Sequence, residues 1–554
     1  MQSQMNSRQT LSRSISPTAT LGKMLLLLTA LITSTVMCFG QGVTGRIQGT
    51  VLDATGAVIP KATITVTNQD TGVSSKYTSG EQGEYVANLL SPGNYKIEIT
   101  TPGFRTTVST GNVVTVDNVT RADVSLQLGA ATESVQVSGD NPLVDTTSSS
   151  MGEVLNTRDI SSLPLNGRVF SQLVQTVPGS VAAGFGSAPE AAAGAGASGP
   201  ITASVNGLPW AGTTYTLDGV SDMELLNAFI NVTPPLDSIQ EIKVSTNNAD
   251  ATVGTYGGAQ VNAFVKSGTN KFHGSAYEFF RSDSLNAAQW QAVTKAPYRA
   301  NEFGGSLGGP IIRNKAFFFV DYQGLLLNNG IAYNLTVPTD LMKQGSFLTS
   351  QFPTLYDPST GNPFPILTTS QGPAYQVPTS RFDPTAARMV AGANIWPQAT
   401  IQNSVSQNYR ANTSETDNNH QFDAKADYQL PNGDHLFARE SYQRRDLTAP
   451  SPGTRFIQID DVNAQSLDHN IAVGYDHTFS PSATNELRFG FNRFYTIDYG
   501  NDFQTNENNA LGIPNGNDSA FPGASGLAIF NINNIASTGS QDWPTLIGSR
   551  TSIR

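Results

Sequence analysis

Five histidines, His273, His420, His435, His469 and His477, are the first residues to test for chemistry. A zinc hydrolase needs histidine and carboxylate ligands on one face, and no H-x-x-E pair occurs among these five. The adjacent acids Asp460 and Asp461 point to opposite faces of an extended chain, so they read as solvated loop residues. Cys38 is the only cysteine, and it sits in a leader-like segment. Cleavage after Gly40 leaves a mature chain without thiol catalysis, disulfides or cysteine zinc sites. No Ser/His/Asp, paired-carboxylate or metal-ligand constellation stands out, so the expectation is a non-enzyme without catalytic residues, metal or cofactor. Main-chain recognition is a different matter. Glu133-Ser134-Val135-Gln136-Val137 alternates as a short strand on a polar, flexible tether. Such a strand can add to a partner's sheet, where main-chain bonds give affinity and side chains specify little. On its own, the pentapeptide reads first as a generic edge strand.

The elements that would position these residues are β-strands. The chain has 554 residues, too many for one ordinary core, and about three or more domains are expected. Charged residues make up 14% and there are 51 glycines, a strand-and-loop composition. The net charge of −11 comes without a concentrated basic patch, which argues against nucleic acid as a partner. Arg8, Arg13 and Lys23 precede the apolar run Met24 to Leu28, which continues through Leu31, Ile32 and Val36. With Cys38 and Gly40 at the cleavage position, residues 1–40 read as a signal peptide. The competing reading is a membrane anchor, but the run is about 13 residues long and interrupted by Thr29, Thr33, Ser34 and Thr35.

Alternating runs follow. Ile47, Gly49 and Val51, then Ile64 and Val66, flank the turn Asp53-Ala54-Thr55-Gly56. Tyr95, Ile97 and Ile99 follow Pro92-Gly93-Asn94, and Val124, Leu126 and Leu128 close the block. Turn signals at this spacing predict a small antiparallel β-sandwich of about 85 residues. The order Gly49, Val51, Asp53, Gly56, Ile59, then Ala62 and Ile64, Gly83 and Tyr85, Leu90-x-Pro92-Gly93-x-Tyr95, and Gly103-Phe104 resembles the carboxypeptidase regulatory-like domain. That resemblance implies a non-catalytic module with a carbohydrate-binding-like fold.

Leu163, Leu165, Phe170, Leu173, Val174 and Val177 lie near helical spacing around Asn166-Gly167. A Gly/Ala-rich loop spans 186–200. A hairpin is expected at Asn206-Gly207, and a strand ends at Asp218-Gly219. L-P-L-N-G-R (Leu163 to Arg168), V-P-G (Val177 to Gly179), L-D-G-V (Leu217 to Val220), I-x-E-I-K-V (Ile239 to Val244), Y-G-G-A (Tyr256 to Ala259) and V-K-S-G-T-N (Val265 to Asn270) resemble the plug of TonB-dependent receptors, of the Oar-like group. In that setting Glu133 to Val137 resembles a TonB box. Tyr256-Gly257-Gly258 becomes a bend where glycine permits positive φ or close backbone approach, and Ser267-Gly268 becomes the plug's exit.

Beyond residue 270 the alternation suits a membrane barrel, apolar outward and charged toward a water-filled lumen. Phe422, Ala424, Ala426 and Tyr428 oppose Asp423, Lys425, Asp427 and Gln429. Leu487, Phe489 and Phe491 oppose Arg488, Gly490 and Asn492. Turns at Arg313-Asn314-Lys315, Pro431 to Asp434 and Ser480-Pro481-Ser482 would be periplasmic. Segments of about 338–415 and 445–465 would be extracellular loops. Phe279, Phe280, Tyr322, Tyr428, Tyr442 and Tyr495 would suit interface girdles. Roughly eight strands follow residue 270 where plugged transporters have about 22, so the chain reads as the front of a longer barrel.

The expected fold is therefore mostly β: signal peptide (1–40), sandwich (41–130), TonB-box-like tether (131–140), α+β plug (141–270) and the first part of an antiparallel barrel (271–554). The resemblance implies an exported outer-membrane transporter or receptor with its sandwich in the periplasm. Its partners would be a periplasmic TonB-type protein, outer-membrane lipid and a scarce solute of unassigned identity, a glycan among the candidates. Surface adhesion on the same scaffold is the alternative.

Overall fold

The computed structural model describes residues 44–129, 134–138, 151–163, 165, 168–183, 202–224, 228–247, 257–287, 295–391, 395–401, 403–449, 451, 453–454, 463–514, 516–517, 525–538 and 548–553. The leader, Glu133, Asn166, Gly167, Tyr256 and Asp460-Asp461 lie outside these residues.

The first unit contains β1 (Gly45–Asp53), β2 (Thr63–Asn68), β3 (Ser74–Thr78), β4 (Glu84–Leu90), β5 (Gly93–Thr100), β6 (Thr106–Val114), β7 (Val119–Arg121), β8 (Val124–Leu126) and β9 (Ser134–Ser138). One sheet runs β4-β1-β7, with β8 also on β1, and the other runs β3-β2-β5-β6-β9. The alternating Ile47, Val51, Ile64, Val66, Ile97 and Ile99 fill the space between them. Two expectations are corrected. The sandwich is mixed rather than antiparallel, because β7 and β8 run parallel to β1 and β9 runs parallel to β6. Crossing from one sheet to the other after β6 frees the chain from hairpin geometry, and parallel pairing needs such a crossover. The segment Ser134–Ser138 is also not a free tether but the outermost strand of the second sheet.

The second unit contains β10 (Met151–Asn156), β11 (Ser180–Ala183), β12 (Thr202–Val205), β13 (Thr213–Leu217), β14 (Val220–Ser221), β15 (Ile239–Asn247) and β16 (Ala259–Val265). Its main sheet runs β10-β15-β16-β13-β14, with β13 parallel to β16. A short helix, Thr157–Ser162, is started by a capping box between Asn156 and Asp159, and a 3₁₀ turn covers Phe170–Thr176. Phe170, Leu173, Val174 and Val177 are buried as expected, whereas Leu163 is exposed. Asn206 and Gly207 do make a left-handed turn, with φ of 55° and 74°. It is not a hairpin, because β12 pairs with β11 and β13 pairs with β14 and β16.

The third unit is one antiparallel meander: β17 (His273–Ser282), β18 (Tyr298–Ile312), β19 (Ala316–Leu335), β23 (Tyr409–Gln429), β24 (His435–Thr448), β25 (Asn463–Ser480), β26 (Ala483–Tyr499) and β27 (Gly548–Ile553). Between β19 and β23 lie β20 (Ser346–Leu348), β21 (Ile366–Thr369) and β22 (Gly372–Gln376), which form their own small sheet. β19 and β23 are 20 and 21 residues long, about twice what a tilted strand needs to cross a bilayer. The loops are correspondingly shorter than expected, since residues 409–415 and 445–448 continue the strands. The loop after β19 and the loop after β26 share a core in which Val337, Met389 and Trp396 meet Leu511 and Leu527. Among the described residues no helix is long and apolar enough to cross a membrane.

Candidate functional site

The site is the seat of the second unit's sheet, the inner sheet, on the inward face of the barrel strands. Alternation puts Phe422, Tyr428, Leu487 and Phe489 outward and exposed, and turns Asp423, Arg439, Ser441, Gln443, Asn470 and Asn492 inward. Those inward groups do not line open water, contrary to the lumen expectation. They are buried because the inner sheet occupies the space, and β16 is buried on both faces.

Asp218 organises one end. The Asp218-Gly219 turn is left-handed, with φ of 48° and 78°, and it reverses β13 into β14. Lys425 Nζ donates to Asp218 Oδ1 at 3.0 Å and to the Val265 carbonyl at 2.9 Å. Arg439 Nε lies 2.8 Å from Asp218 Oδ2, with no exposed side-chain surface. Arg439 also donates to the carbonyls of Leu217 at 3.2 Å and Asn470 at 3.0 Å and to Asn470 Oδ1 at 2.6 Å. Nearby, Asp222 accepts from the Val232 amide and from Asn470 Nδ2. Burial holds the Asp222 carboxyl well above the usual carboxylate range. Asn492 Nδ2 donates to the Met223 carbonyl at 3.1 Å, and the Thr233 amide donates to Gln443 Oε1 at 2.9 Å.

Arg168 organises the other end. Its guanidinium pairs with Asp237 and lies 2.8 Å from Glu302 Oε1 on β18. It also stacks over Tyr277 and Phe279 of β17, at 5.0 and 4.6 Å from the ring centroids. Gly257 and Gly258 bend the chain into β16 without positive φ, so the second of the two expected reasons holds. A Cβ on Gly258 would lie 3.1 Å from the Val205 carbonyl oxygen. Apolar contact between inner sheet and wall is limited: Val220 and Phe264 meet Phe437 and Ala472, and Phe319 joins the inner core. The seat is therefore made mainly of hydrogen bonds and ion pairs, which water can replace when the sheet moves.

The sandwich closes the turn end of the barrel. Val116, at the tip of the β6–β7 loop, is buried among Val220, Phe264, Phe437 and Ala472. Its amide donates to Glu241, and Lys243 Nζ lies 2.7 Å from Asp117 Oδ2. Asn88 donates to the Pro481 carbonyl at 2.9 Å, and the Asn270 amide donates to the Asp70 carbonyl at 3.0 Å. A cavity of about 400 Å³ remains between sandwich, inner sheet and barrel, lined in part by Tyr95, Gln240, Lys266, His273, Lys425 and Asp427. Burial lowers the Lys266 ammonium from its ordinary value. Among the described residues no group of three His, Cys, Asp or Glu side chains could hold a metal.

Burial also pushes the Glu241 carboxyl up to about 7, against the pull of the Val116 amide and Lys243. Released from the sandwich, Glu241 returns toward its ordinary 4.5. The docked form thus holds a proton that the undocked form loses between these values. Docking should weaken as pH rises from about 4.5 to about 7 and level off above. Hydrogen exchange of the Val116 amide, corrected for intrinsic rate, should show more protection at pH 5 than at pH 7.5. Glu241→Gln should flatten that difference, and an unchanged slope would refute the assignment.

Of the residues singled out from sequence, Arg168, Asp218 and Gly219 lie in this seat, whereas Gly257 and Gly258 lie within the second unit, where both amides donate to the Gly212 carbonyl. Leu163 flanks the seat on the surface. Ser134, Val135, Gln136 and Val137 lie in β9, at the end of the second sandwich sheet. Sequence reasoning missed Arg439 and Asp237, and held Glu241 only as part of the I-x-E-I-K-V motif. The available signal for Arg439 was a charged residue on the inward phase of a strand that also carries Phe437, Ser441 and Gln443.

Comparison with known proteins gives two family matches. Residues 264–552 match the outer membrane beta barrel domain, and residues 46–127 match the carboxypeptidase regulatory-like domain. The TonB-dependent transporter Oar of Myxococcus xanthus is 26% identical over 296 residues, covering 50% of this chain and 26% of that protein. This chain thus spans about a quarter of the length of that relative. Solved structures with partial similarity include the outer membrane transporter YddB from Escherichia coli, with a TM-score of 0.40 and 9% identity over 71% of this chain and 43% of that one. The siderophore receptor PirA from Acinetobacter baumannii has a TM-score of 0.30 and 15% identity, over 67% of this chain and 50% of that one.

Proposed function

This outer-membrane protein belongs to the outer membrane β-barrel domain family, and from that premise we propose that it is a TonB-dependent transporter or receptor. It takes up a scarce solute past a plug, the inner sheet, seated in the barrel. The observation that carries the reading is the polar seat. A plug fixed by Asp218, Arg168 and the asparagines of the wall can leave by exchanging protein hydrogen bonds for water, at lower cost than exposing an apolar core. The Oar likeness supports the same reading. The turn end then faces the periplasm, the long loops face outward to meet the solute, and no side chain performs a covalent step. An energised TonB-type partner grips the main chain of β9 and pulls.

Proline lacks the N–H that strand pairing needs. Neighbouring residues of a strand direct their main-chain groups to opposite edges, so Val135→Pro and Gln136→Pro between them disable both. Purified full chain should bind a TonB-type periplasmic domain, and the pair of substitutions should weaken that binding at least tenfold. Equal affinity of parent and double variant would sink the transport reading.

The shared core of the two loops favours a second reading, adhesion through a folded outer surface. In that case the proline variants leave attachment intact, and removing residues 346–376 abolishes it.

A further inference from the structure

We propose that the N-terminal sandwich is a latch on the plug, which the partner draws out before it loads the plug itself. The inference rests on the TonB-dependent reading above and goes beyond it in assigning the sandwich a mechanical role. Three observations carry it. First, among the described residues β9 ends its sheet, paired with β6 on one side, through Thr106–Thr110 opposite Ser134–Ser138. Its other edge offers main-chain donors and acceptors to an added strand, so a partner can bind without peeling β9 away. Force on the partner then passes through five residue pairs into the sandwich.

Second, the sandwich is wedged, not merely adjacent. Val116 has no exposed surface and sits between plug residues Val220 and Phe264 and wall residues Phe437 and Ala472. Its neighbour Asp117 adopts a left-handed φ of 49°, which shapes the tip, and Lys243 of the plug binds both its carboxylate and its carbonyl. While the wedge is in place, the Val220 and Phe264 side of the plug cannot slide along the wall.

Third, the connections differ in length. β8 ends at Leu126 and β9 starts at Ser134, and main-chain pairing ties β9 to the sandwich directly. Residues 139–150 join β9 to β10 of the plug, a length that reaches roughly 40 Å when extended. A pull on β9 therefore loads the sandwich through its five pairs, and reaches β10 only when the chain between the two strands is drawn straight.

The test pulls single full-length molecules in a lipid bilayer, with a bound TonB-type periplasmic domain as the handle. The parent should show a short first extension, no longer than roughly 40 Å, before any longer one. Bridging Asp117→Cys to Lys243→Cys with a short bis-maleimide, in a Cys38→Ser background, should remove that first step. Val116→Ala, which thins the wedge without touching β9, should lower its force. Joining Val108→Cys to Gln136→Cys as a disulfide across β6 and β9 should leave handle binding unchanged. A first extension of several hundred ångströms, meaning the plug unravels first, would overturn the latch. So would a short step that bridging does not alter, or loss of handle binding in the β6–β9 disulfide. Failure of the unmodified chain to bind the handle would remove both the latch and the transport reading, whereas binding with a bridging-insensitive trace removes the latch alone.

Discussion

Arg439→Met should unseat the inner sheet from its barrel wall. The guanidinium is fully buried and serves Asp218, the Leu217 and Asn470 carbonyls and the Asn470 side chain together. Methionine keeps the apolar stem but reaches only about as far as Nε and offers no donor to those acceptors. Breaking a buried ion pair by removing one partner costs about 3–5 kcal/mol, mostly from the stranded charge. Hydrogen exchange of β13 and β16 amides should accelerate by roughly two to three decades, since each 1.4 kcal/mol is tenfold. Lys425 stays paired with Asp218 and limits the loss. If Arg439→Met leaves β13 and β16 as protected as in the parent, the seat does not depend on this pair.

Gly268→Ala should disrupt the join between inner sheet and barrel. A Cβ there would lie 2.3 Å from the Phe318 carbonyl oxygen and 2.5 Å from that of Gly309. Both atoms are main chain, in β19 and β18, so no side-chain rotation relieves the clash. The linker must lift from the wall and take the neighbouring Lys266–Asp237 carbonyl and Ser267–Asp427 bonds with it. Overpacking costs about 1–3 kcal/mol where neighbours can adjust, and here they are two paired strands. The folded fraction on an unheated SDS gel should fall sharply. Gly257→Ala is the matched control, because its Cβ would meet only the movable Leu208 Cδ1 at 3.2 Å. Equal folding of the two variants would show that the close approach does not matter.

The period-two pattern made the strands legible. It placed Phe422 and Leu487 outward and Asp423 and Arg488 inward, and the turn chemistry at Asp218-Gly219 and Arg313-Asn314-Lys315 fixed their ends. Partners across units were not legible. Arg439 and Leu217 are 222 positions apart, and nothing local to either marks the other. An inward arginine looks the same whether it faces water or a plug. The Thr157–Ser162 helix did carry a local signal, Asn156 and Asp159 in a capping box, but it is too short to show apolar periodicity. β9 looked like a polar tether because an edge strand buries little and needs little apolar sequence. The mixed direction of the sandwich strands escaped because alternation is blind to polarity.

The shared core of the two loops makes the outer surface a checkpoint on assembly. The first loop leaves β19 carrying Met389 and Trp396, yet its packing partners Leu511 and Leu527 follow β26. Until β26 is inserted and the loop after it arrives, these apolar groups have no complete place to hide. Loop-closure entropy grows slowly, about 0.6 kcal/mol per doubling of length, so the long separation delays the cap without weakening it much. A chain stalled before β26 would therefore advertise itself by exposed tryptophan and methionine, a mark that quality-control proteases could read before the protein is put to work.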